Sequence, residues 1–593
     1  MNNYIISKVK DPFLCNEDYL EIHSLIGDFN KIKSKNSKIN YKRKIKISLS
    51  SDYTLNYLTE FLPLFFVNKG IHVELHEKEF GSLNFLSKDI NNNFWRKKND
   101  FFVLIPSSNY LNLPEVSDKL SLIKKKAESD AKLWLNLWNK LDKKIIQTTF
   151  EPTFYTNLGE VDGVNYGGYL HYIRLVNLIL AEKKPSNVYL IDIENLVFKN
   201  QKAKWNDSKM FNLTKQPFSM ETLPILANSI SNAAASMLGL SKKVLVIDLD
   251  NTIWGGIIGD DGLDKILLGP ETPLGEAFQN FQKYLKQLTK KGIILCVCSK
   301  NDEKIAKEVF LKNKNMILKL EDITVFKSNF SDKASNIKDI SKILNLGLDS
   351  FVFVDDSKFE CDQVKKTLPE VMTLQLPEDA SDFIGIVESV SPFYFNNLSK
   401  EDFSRVSSYK KLAKINYHIK NSKNIDVFLK SIKSQVILER INKKNSERSS
   451  QLLAKTNQFK LNSNLFSSKE LIEKNSFCIF YEDKYQNYGN IGVVIYKIKK
   501  KKEIIIENWV MSCRVFSRRI EFFIFNLLLS KAKKNNCDYL SFDFERTKKN
   551  LYLQEFLNNL DLKLVNKIQN YKINVSYFKK SKYKNYIKAK KLI

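Results

Sequence analysis

Cysteine and histidine are scarce in this chain: 593 residues hold seven cysteines and five histidines. The one close pair, Cys296 and Cys298, is spaced C-x-C, and no second pair completes a zinc site. Neither a zinc cluster nor a disulfide framework is expected, and most of these thiols should serve as small core residues. Long apolar runs are also missing. The densest, Phe61–Val67 and Phe522–Leu529, fall far short of the ~18 residues that a membrane-spanning helix needs. The opening MNNYIISKVK has no basic stretch followed by an apolar core, so no secretory signal is read and a cytoplasmic location is expected. There is no internal repeat and no long low-complexity linker.

What is abundant is lysine. The net charge is +28, which at first suggests a nucleic-acid partner. The lysines are spread over the whole chain, however, as a compositional bias spreads them, and no nucleic acid is expected. The densest runs, Lys497–Lys502 and Lys579–Lys591, read as a solvated hairpin tip and a frayed tail. Hydrophobic residues make up 43%, enough for several cores, and the length suggests roughly three or four domains.

Apolar periodicity divides the chain. Residues 1–241 contain the strand-like runs Ile45–Ser50, Ile71–Leu75, Phe101–Ile105 and Val188–Ile191, with a helical stripe over Tyr57, Leu58, Phe61, Leu62 and Phe65. Residues 242–377 alternate most sharply. Strands at Val244–Ile247, Ile293–Val297 and Phe351–Val354 are separated by helical stripes over Phe278–Leu288 and Ala334–Leu344. This is a doubly wound α/β pattern, whose sites sit at the carboxyl ends of the strands. Residues 378–427 read as a helical connector. In 428–593, Gly492–Lys497 and Ile504–Val510 pair around a lysine-rich turn, and a helix follows over Ile520–Leu528.

The chemistry concentrates where the second region's strands end. Asp248 and Asp250 follow one buried strand, so both carboxylates can aim at a single point above the sheet. One can attack phosphorus while the other handles a proton. A divalent cation would hold them and shield a phosphate from their charge, and Asp355–Asp356, after another strand, could complete an oxygen-rich magnesium site. Ser299 ends a third strand and offers a hydroxyl to a phosphoryl oxygen. Lys333 opens a helix and can stabilise transition-state charge.

DLDNT, CSKND (Cys298–Asp302), Lys333 and VDDS (Val354–Ser357) resemble the four motifs of the haloacid-dehalogenase (HAD) phosphotransferases. The resemblance implies Asp248 as nucleophile, Asp250 as general acid/base, and Ser299 and Lys333 as phosphoryl ligands. It implies Mg2+ held by Asp248, the Asp250 carbonyl and Asp355, with Asp356 nearby. IDLDNTIWGGIIGDDG (Ile247–Gly262) is similar to the signature of the FkbH-like branch, which belongs to the capless subclass. Thr252, Gly255, Gly256 and Asn301 are then expected at the substrate. The sequence departs from that branch at Ser357–Glu360, where an asparagine–proline pair followed by an acid and an arginine is usual.

The flanks resemble the same family. The first region is similar to its SGNH-hydrolase-like domain, with Ser50, Ser51 and Asp52 where such hydrolases carry a nucleophile. No histidine stands in a DxxH between Asp192 and Ser241, so a structural or substrate-guiding role is expected. FEPTF (Phe150–Phe154) also fits the family, with no chemistry to derive from it. KTNQF (Lys455–Phe459) and SCRVFSRRIE (Ser512–Glu521) resemble the family's GNAT-like acyltransferase region, whose glycine-rich loop is here FSRR. Arg514, Arg518 and Arg519 are expected to meet a phosphopantetheine arm.

FkbH-like proteins dephosphorylate 1,3-bisphosphoglycerate and load glyceryl onto an acyl carrier protein, and the resemblance implies that activity here. The alternative is a phosphatase or related transferase of surface-polysaccharide or secondary-metabolite biosynthesis with another substrate. Cys298, beside Ser299, is the first candidate for a thiol that relays the acyl group, and Cys513 is the second.

Overall fold

The computed structural model describes residues 2–34, 41–77, 81, 83, 99–141, 143–200, 204–396, 398, 400–421, 425–499, 502–516, 518–547, 549–560, 570–576 and 586–591. The chain forms two compact units. One comprises Met1–Leu240 with Tyr394–Asn397; the other comprises Ser241–Phe393 with Leu398–Ile593. Among the described residues, no helix is long and apolar enough to cross a membrane.

The first unit is built on a parallel sheet of β1 (Arg43–Ser51), β2 (Ile71–Glu77), β3 (Phe101–Ile105), β4 (Lys144–Thr148) and β5 (Val188–Ile191), in the order β2-β1-β3-β4-β5. Helix Leu120–Lys140 lays Ile123, Ala127, Ala131, Trp134 and Trp138 on one side of it. These positions recur every three to four residues, which is why that stripe is buried and the lysines between face out.

The second unit holds two sheets. One is wholly parallel: β6 (Val244–Ile247), β7 (Ile294–Ser299), β8 (Val325–Ser328), β9 (Phe351–Asp355) and β10 (Met372–Gln375), in the order β10-β9-β6-β7-β8. Val244–Ile247 is buried throughout, as a central parallel strand covered on both faces must be. The chain leaves β6 to β7 on one side and returns to β9 on the other, so a crevice opens at the carboxyl end of β6. Four of the connecting helices start on a side-chain cap. Thr272 caps Pro273–Lys290, Asp302 caps Glu303–Lys312, Asp332 caps Lys333–Leu344 and Ser357 caps Lys358–Thr367. Among the described residues, no domain is inserted between these elements.

The third sheet is mixed: β11 (Gln435–Arg440), β12 (Asn475–Asp483), β13 (Gln486–Lys499), β14 (Glu503–Met511), β15 (Tyr539–Asp543), β16 (Asn570–Asn574) and β17 (Lys588–Lys591), in the order β16-β15-β14-β13-β12-β11-β17. Parallel strands β14 and β15 pair only over Glu503–Ile506 and Tyr539–Phe542. Beyond that they part, and Phe459–Asn462 fills the gap. Leu461 N donates to Trp509 O, Met511 N to Phe459 O and Glu545 N to Leu461 O. Asn462 Nδ2 donates both to Glu507 O at 2.8 Å and to Asp543 O at 2.7 Å, so one amide ties the two strands.

The multidomain α/β architecture with a central parallel sheet is as the sequence led us to expect. β4, β8 and β10 were not anticipated, nor were β11, β12, β15 and β16 of the third sheet; β4, β8 and β10 are short runs interrupted by polar residues, too brief to show periodicity. The lysine-rich tail is not wholly frayed. Its last described residues form β17, which pairs parallel with β11, whereas 577–585 lie outside the described residues.

Candidate functional site

Asp248 leaves β6 with its amide still donating to Val354 O at 3.1 Å, so its side chain starts level with Asp355 at the end of neighbouring β9. Ser299 ends β7 on the other side. Lys333, first residue of its helix, reaches between the acids: Nζ lies 3.1 Å from Asp248 Oδ1 and 2.5 Å from Asp355 Oδ2. All four side chains are buried. Burial pushes the Asp248 and Asp355 carboxyls up, and repulsion from Asp248 pushes Asp355 further in the same direction. Asp356, half-buried, is raised by the same two causes.

Two buried carboxylates on one ammonium leave negative charge uncompensated, and that is the condition a cation relieves. Asp248, Asp355 and Asp356 each offer an oxygen, all within 4.8 Å of one another. Ligand oxygens around octahedral Mg2+ stand roughly 3 to 4 Å apart, given Mg–O bonds of about 2.1 Å. Asp248 Oδ1, although in contact with Lys333, accepts no well-directed hydrogen bond. The donor set therefore fits a hard divalent ion.

Asp250 is held differently. Its Oδ1 accepts from Trp254 Nε1 at 3.0 Å and Ile258 N at 3.1 Å, and its Oδ2 accepts from Asn301 Nδ2 at 2.8 Å. Asn251, at φ 47°, makes a left-handed turn directly after it, and its Oδ1 accepts from Gly256 N. The Asp250 carboxylate is thus not part of the metal-capable group but a fixed group on the rim, suited to proton transfer. Asn301, expected at the substrate, spends its amide on Asp250 and on Ser299 Oγ at 3.2 Å, so it orients the two. Thr252 is fully buried beneath the loop, with no partner for its Oγ1.

Several expectations need correction. Gly255 exchanges both backbone hydrogen bonds with Leu267, and a Cβ there would stand 2.8 Å from Phe278 Cε2; it packs the loop rather than admitting a ligand. Gly256, at φ 94°, serves the turn. Cys298 is no relay thiol. Cys296 and Cys298 share one face of β7 and lie in the core with Val246, Ile337 and Phe353. Cys298 Sγ donates to Lys333 O at 3.7 Å, and burial raises its thiol far above the usual range. Arg518 is not open to a ligand either. It donates to Asp483 Oδ2, to the carbonyls of Arg514 and Phe516, and to Tyr488 OH. Asp483 is buried and requires that counter-charge. Arg519 pairs with Asp426 at 2.6 Å. Arg514 remains, buried, with Nε on Ser512 Oγ.

Two residues of the site went unread in the sequence. Lys300 Nζ and Glu360 Oε1 form an ion pair at 2.5 Å, fastening the loop after β7 to the helix after β9. The only signal was the position of Glu360 within the departing stretch Ser357–Glu360. In the first unit, Ser51 Oγ donates to Ile105 O and Asp52 accepts from Ser107 N, both buried, and Glu151 of FEPTF accepts from Tyr53 OH. The buried Glu151 carboxyl is pushed up to about 7 by desolvation.

The chain is similar to known proteins in two respects. Residues 46–234 match the family model of the FkbH N-terminal domain. The solved N-terminal part of a Bacteroides fragilis protein, containing a phosphatase domain and complexed with Mg, is 28% identical with a TM-score of 0.58, and covers 64% of this chain and 100% of that one. A GNAT-family acetyltransferase from Bacillus anthracis (10% identity, TM-score 0.20, 24% of this chain and 98% of that one) resembles a shorter part at a level too low to assign it. The same holds for a Geobacillus acetyl-xylooligosaccharide esterase (16% identity, TM-score 0.22, 33% and 96%). No curated protein matches the chain. The parallel sheet and the acid-ended strands define an enzyme with a HAD-type phosphatase domain. Over residues 46–234 the same chain is similar to the FkbH N-terminal domain.

Proposed function

We propose that this chain is a Mg2+-dependent phosphatase and glyceryl transferase. It would act on an acyl phosphate of the 1,3-bisphosphoglycerate class and deliver the acyl group to the phosphopantetheine thiol of an acyl carrier protein. The observation that carries the phosphatase reading is the cluster of buried Asp248 and Asp355, both on the ammonium of Lys333, with half-buried Asp356 beside them. Asp248 is the nucleophile toward phosphorus. Asp250, locked by Trp254, Ile258 and Asn301, holds the proton for the leaving oxygen, and Ser299 and Lys333 receive the phosphoryl oxygens. Asp248, Asp355 and Asp356 would hold Mg2+, which would supply charge neutralisation. A phosphorylated substrate of this kind is made inside cells and does not cross membranes, so the cytoplasm is the setting.

The glyceryl step rests on the family resemblance and on the exposed rim. Phe330 on the loop after β8 and Phe359 in the first turn of helix Lys358–Thr367, 78% and 71% exposed, stand at the carboxyl end of the parallel sheet, where a carrier protein would dock. A second reading, a phosphatase for another phosphorylated small molecule, is favoured by one observation: Glu360 in the departing loop is committed to Lys300.

The test is mass spectrometry of holo-acyl carrier protein incubated with the full chain, Mg2+ and 1,3-bisphosphoglycerate, beside Asp248→Asn. A glyceryl-sized gain with wild type alone supports the transfer. Phosphate release without that gain leaves the phosphatase and discards the glyceryl step. No phosphate release from any substrate would discard both.

A further inference from the structure

KTNQF and SCRVF, singled out in the sequence but unused at the Asp248 centre, meet in space. Lys243 immediately precedes β6 and Asp248 immediately follows it, so at about 3.3 Å per residue the two lie roughly 16 Å apart, at opposite ends of the strand. At the Lys243 end, Cys513 packs against the cores of both sheets of the second unit. Its Sγ is 3.1 Å from Tyr409 OH. Arg405, one turn before Tyr409 on helix Lys400–Asn421, donates to Gly292 O. Arg448 and Lys455 lie two turns apart on one face of helix Ser446–Lys455.

We propose that Lys243, Arg405, Arg448, Lys455 and Arg514 form a binding site for a phosphorylated ligand beside the Cys513 thiol, separate from the Asp248 centre. The charges there do not balance. Two carboxylates face the five cations: Asp402 contacts Arg405, and Glu401 lies 3.6 Å from Arg448 Nε. Asp349, also within reach of Lys243, is paired with Lys549. Among the described residues, neither Lys243 Nζ nor Lys455 Nζ makes a hydrogen bond or ion pair, yet both side chains are half-buried. Such crowding is unfavourable for a protein alone.

The electrostatics agree with the geometry. Burial lowers Lys455 to about 8, opposed by Asp402 and reinforced by Arg405, Arg448 and Lys243. Burial likewise lowers Lys243, partly offset by Cys513 and deepened by Arg405. A multivalent anion reverses each of these repulsions. Planar guanidiniums and point-like ammoniums converging from the start of β6, helix Lys400–Asn421, helix Ser446–Lys455 and the turn after β14 suit the oxygens of a phosphate group. That phosphate could belong to a free small molecule or to a carrier protein's phosphopantetheine. No residue of this site belongs to the phosphatase centre, so the inference stands or falls separately from that reading.

The experiment uses the full chain in EDTA. Inorganic phosphate and phosphopantetheine are titrated calorimetrically into wild type, Lys333→Met and Lys243→Met/Lys455→Met. Alkylation of Cys513 by iodoacetamide, read by peptide mass spectrometry, reports position. We expect binding that survives EDTA and Lys333→Met, weakens about tenfold or more in the double variant, and slows Cys513 alkylation several-fold only where both lysines are present. Equal affinities would identify a free phosphate ligand; tighter binding of phosphopantetheine would identify the prosthetic arm. If the double variant is misfolded by circular dichroism, Lys455→Met alone is used. Wild-type affinity in a folded variant, no EDTA-resistant binding, or unprotected Cys513 overturns the proposal. Turnover of an aryl phosphate, measured alongside, reports on the phosphatase reading independently.

Discussion

The ammonium of Lys333 stands 2.5 Å from Asp355 Oδ2 with both side chains buried, and this contact holds the centre together before any metal arrives. Lys333→Met therefore leaves Asp248 and Asp355 as neighbouring buried acids. In EDTA the variant should lose about 3–5 kcal/mol of stability to urea, and added Mg2+ should restore part of that loss. Phosphatase kcat should fall by a factor on the order of a hundred to a thousand. Unchanged urea stability in EDTA would mean that the ion pair does not carry this load.

Glu151 supplies a pH dependence in the first unit. Its carboxyl is pushed up from 4.5 to about 7 by burial, so between those values the unfolded chain has lost a proton that the folded chain keeps. Stability falls with rising pH wherever the folded state binds more protons. The loss begins near the unfolded value and is complete above about 7, amounting to on the order of 3 kcal/mol. Urea titrations followed by the fluorescence of Trp134 and Trp138 at about pH 5 and about pH 8 should show this decline. Glu151→Gln should flatten it; an equally steep variant would place the dependence elsewhere.

Arg518→Met should act on folding rather than binding. It strips Asp483 of its buried counter-charge and Tyr488 OH of a donor, at a cost of about 3–5 kcal/mol. Arg518→Met/Asp483→Asn should recover much of it, since an uncharged pair has no stranded charge. Hydrogen exchange over β12 and β13 locates the effect. If Arg518→Met is as stable as wild type, the arginine has another task.

Under the transferase reading, Phe330→Ser/Phe359→Ser should lower carrier-protein loading about tenfold, as loss of exposed aromatic anchors does, while hydrolysis of a small aryl phosphate falls much less. Parallel loss of both reactions would assign these rings to the shape of the centre instead of to docking.

The phosphatase centre was legible because its chemistry sits where strands stop. A buried parallel strand reads as an unbroken apolar run, and the first acid after it marks the sheet's edge, as at Asp248 and Asp355. Lys333 was legible because it opens the helical stripe Ala334–Leu344. The error at Cys298 arose from adjacency to Ser299. Strand parity places Cys298 on the same core face as Cys296, and the chain exits only one residue later. Arg518 misled for another reason: its partner Asp483 lies 35 residues away, beyond any local pattern. The cation cluster was invisible for the same reason, since Lys243, Arg405, Arg448, Lys455 and Arg514 meet only once four elements have packed.

Asn462 has a consequence for synthesis. Its amide joins β14 to β15, but it leaves the ribosome 81 residues before Asp543, its farther partner. At roughly 5–20 residues per second, the Phe459–Asn462 segment spends on the order of 4 to 16 seconds without the strand that completes its pairing. During that interval the edge it will seal is open to any strand in reach. The step that closes the third sheet is therefore timed by translation of the segment up to Asp543, and slowing the ribosome there lengthens the exposure in proportion.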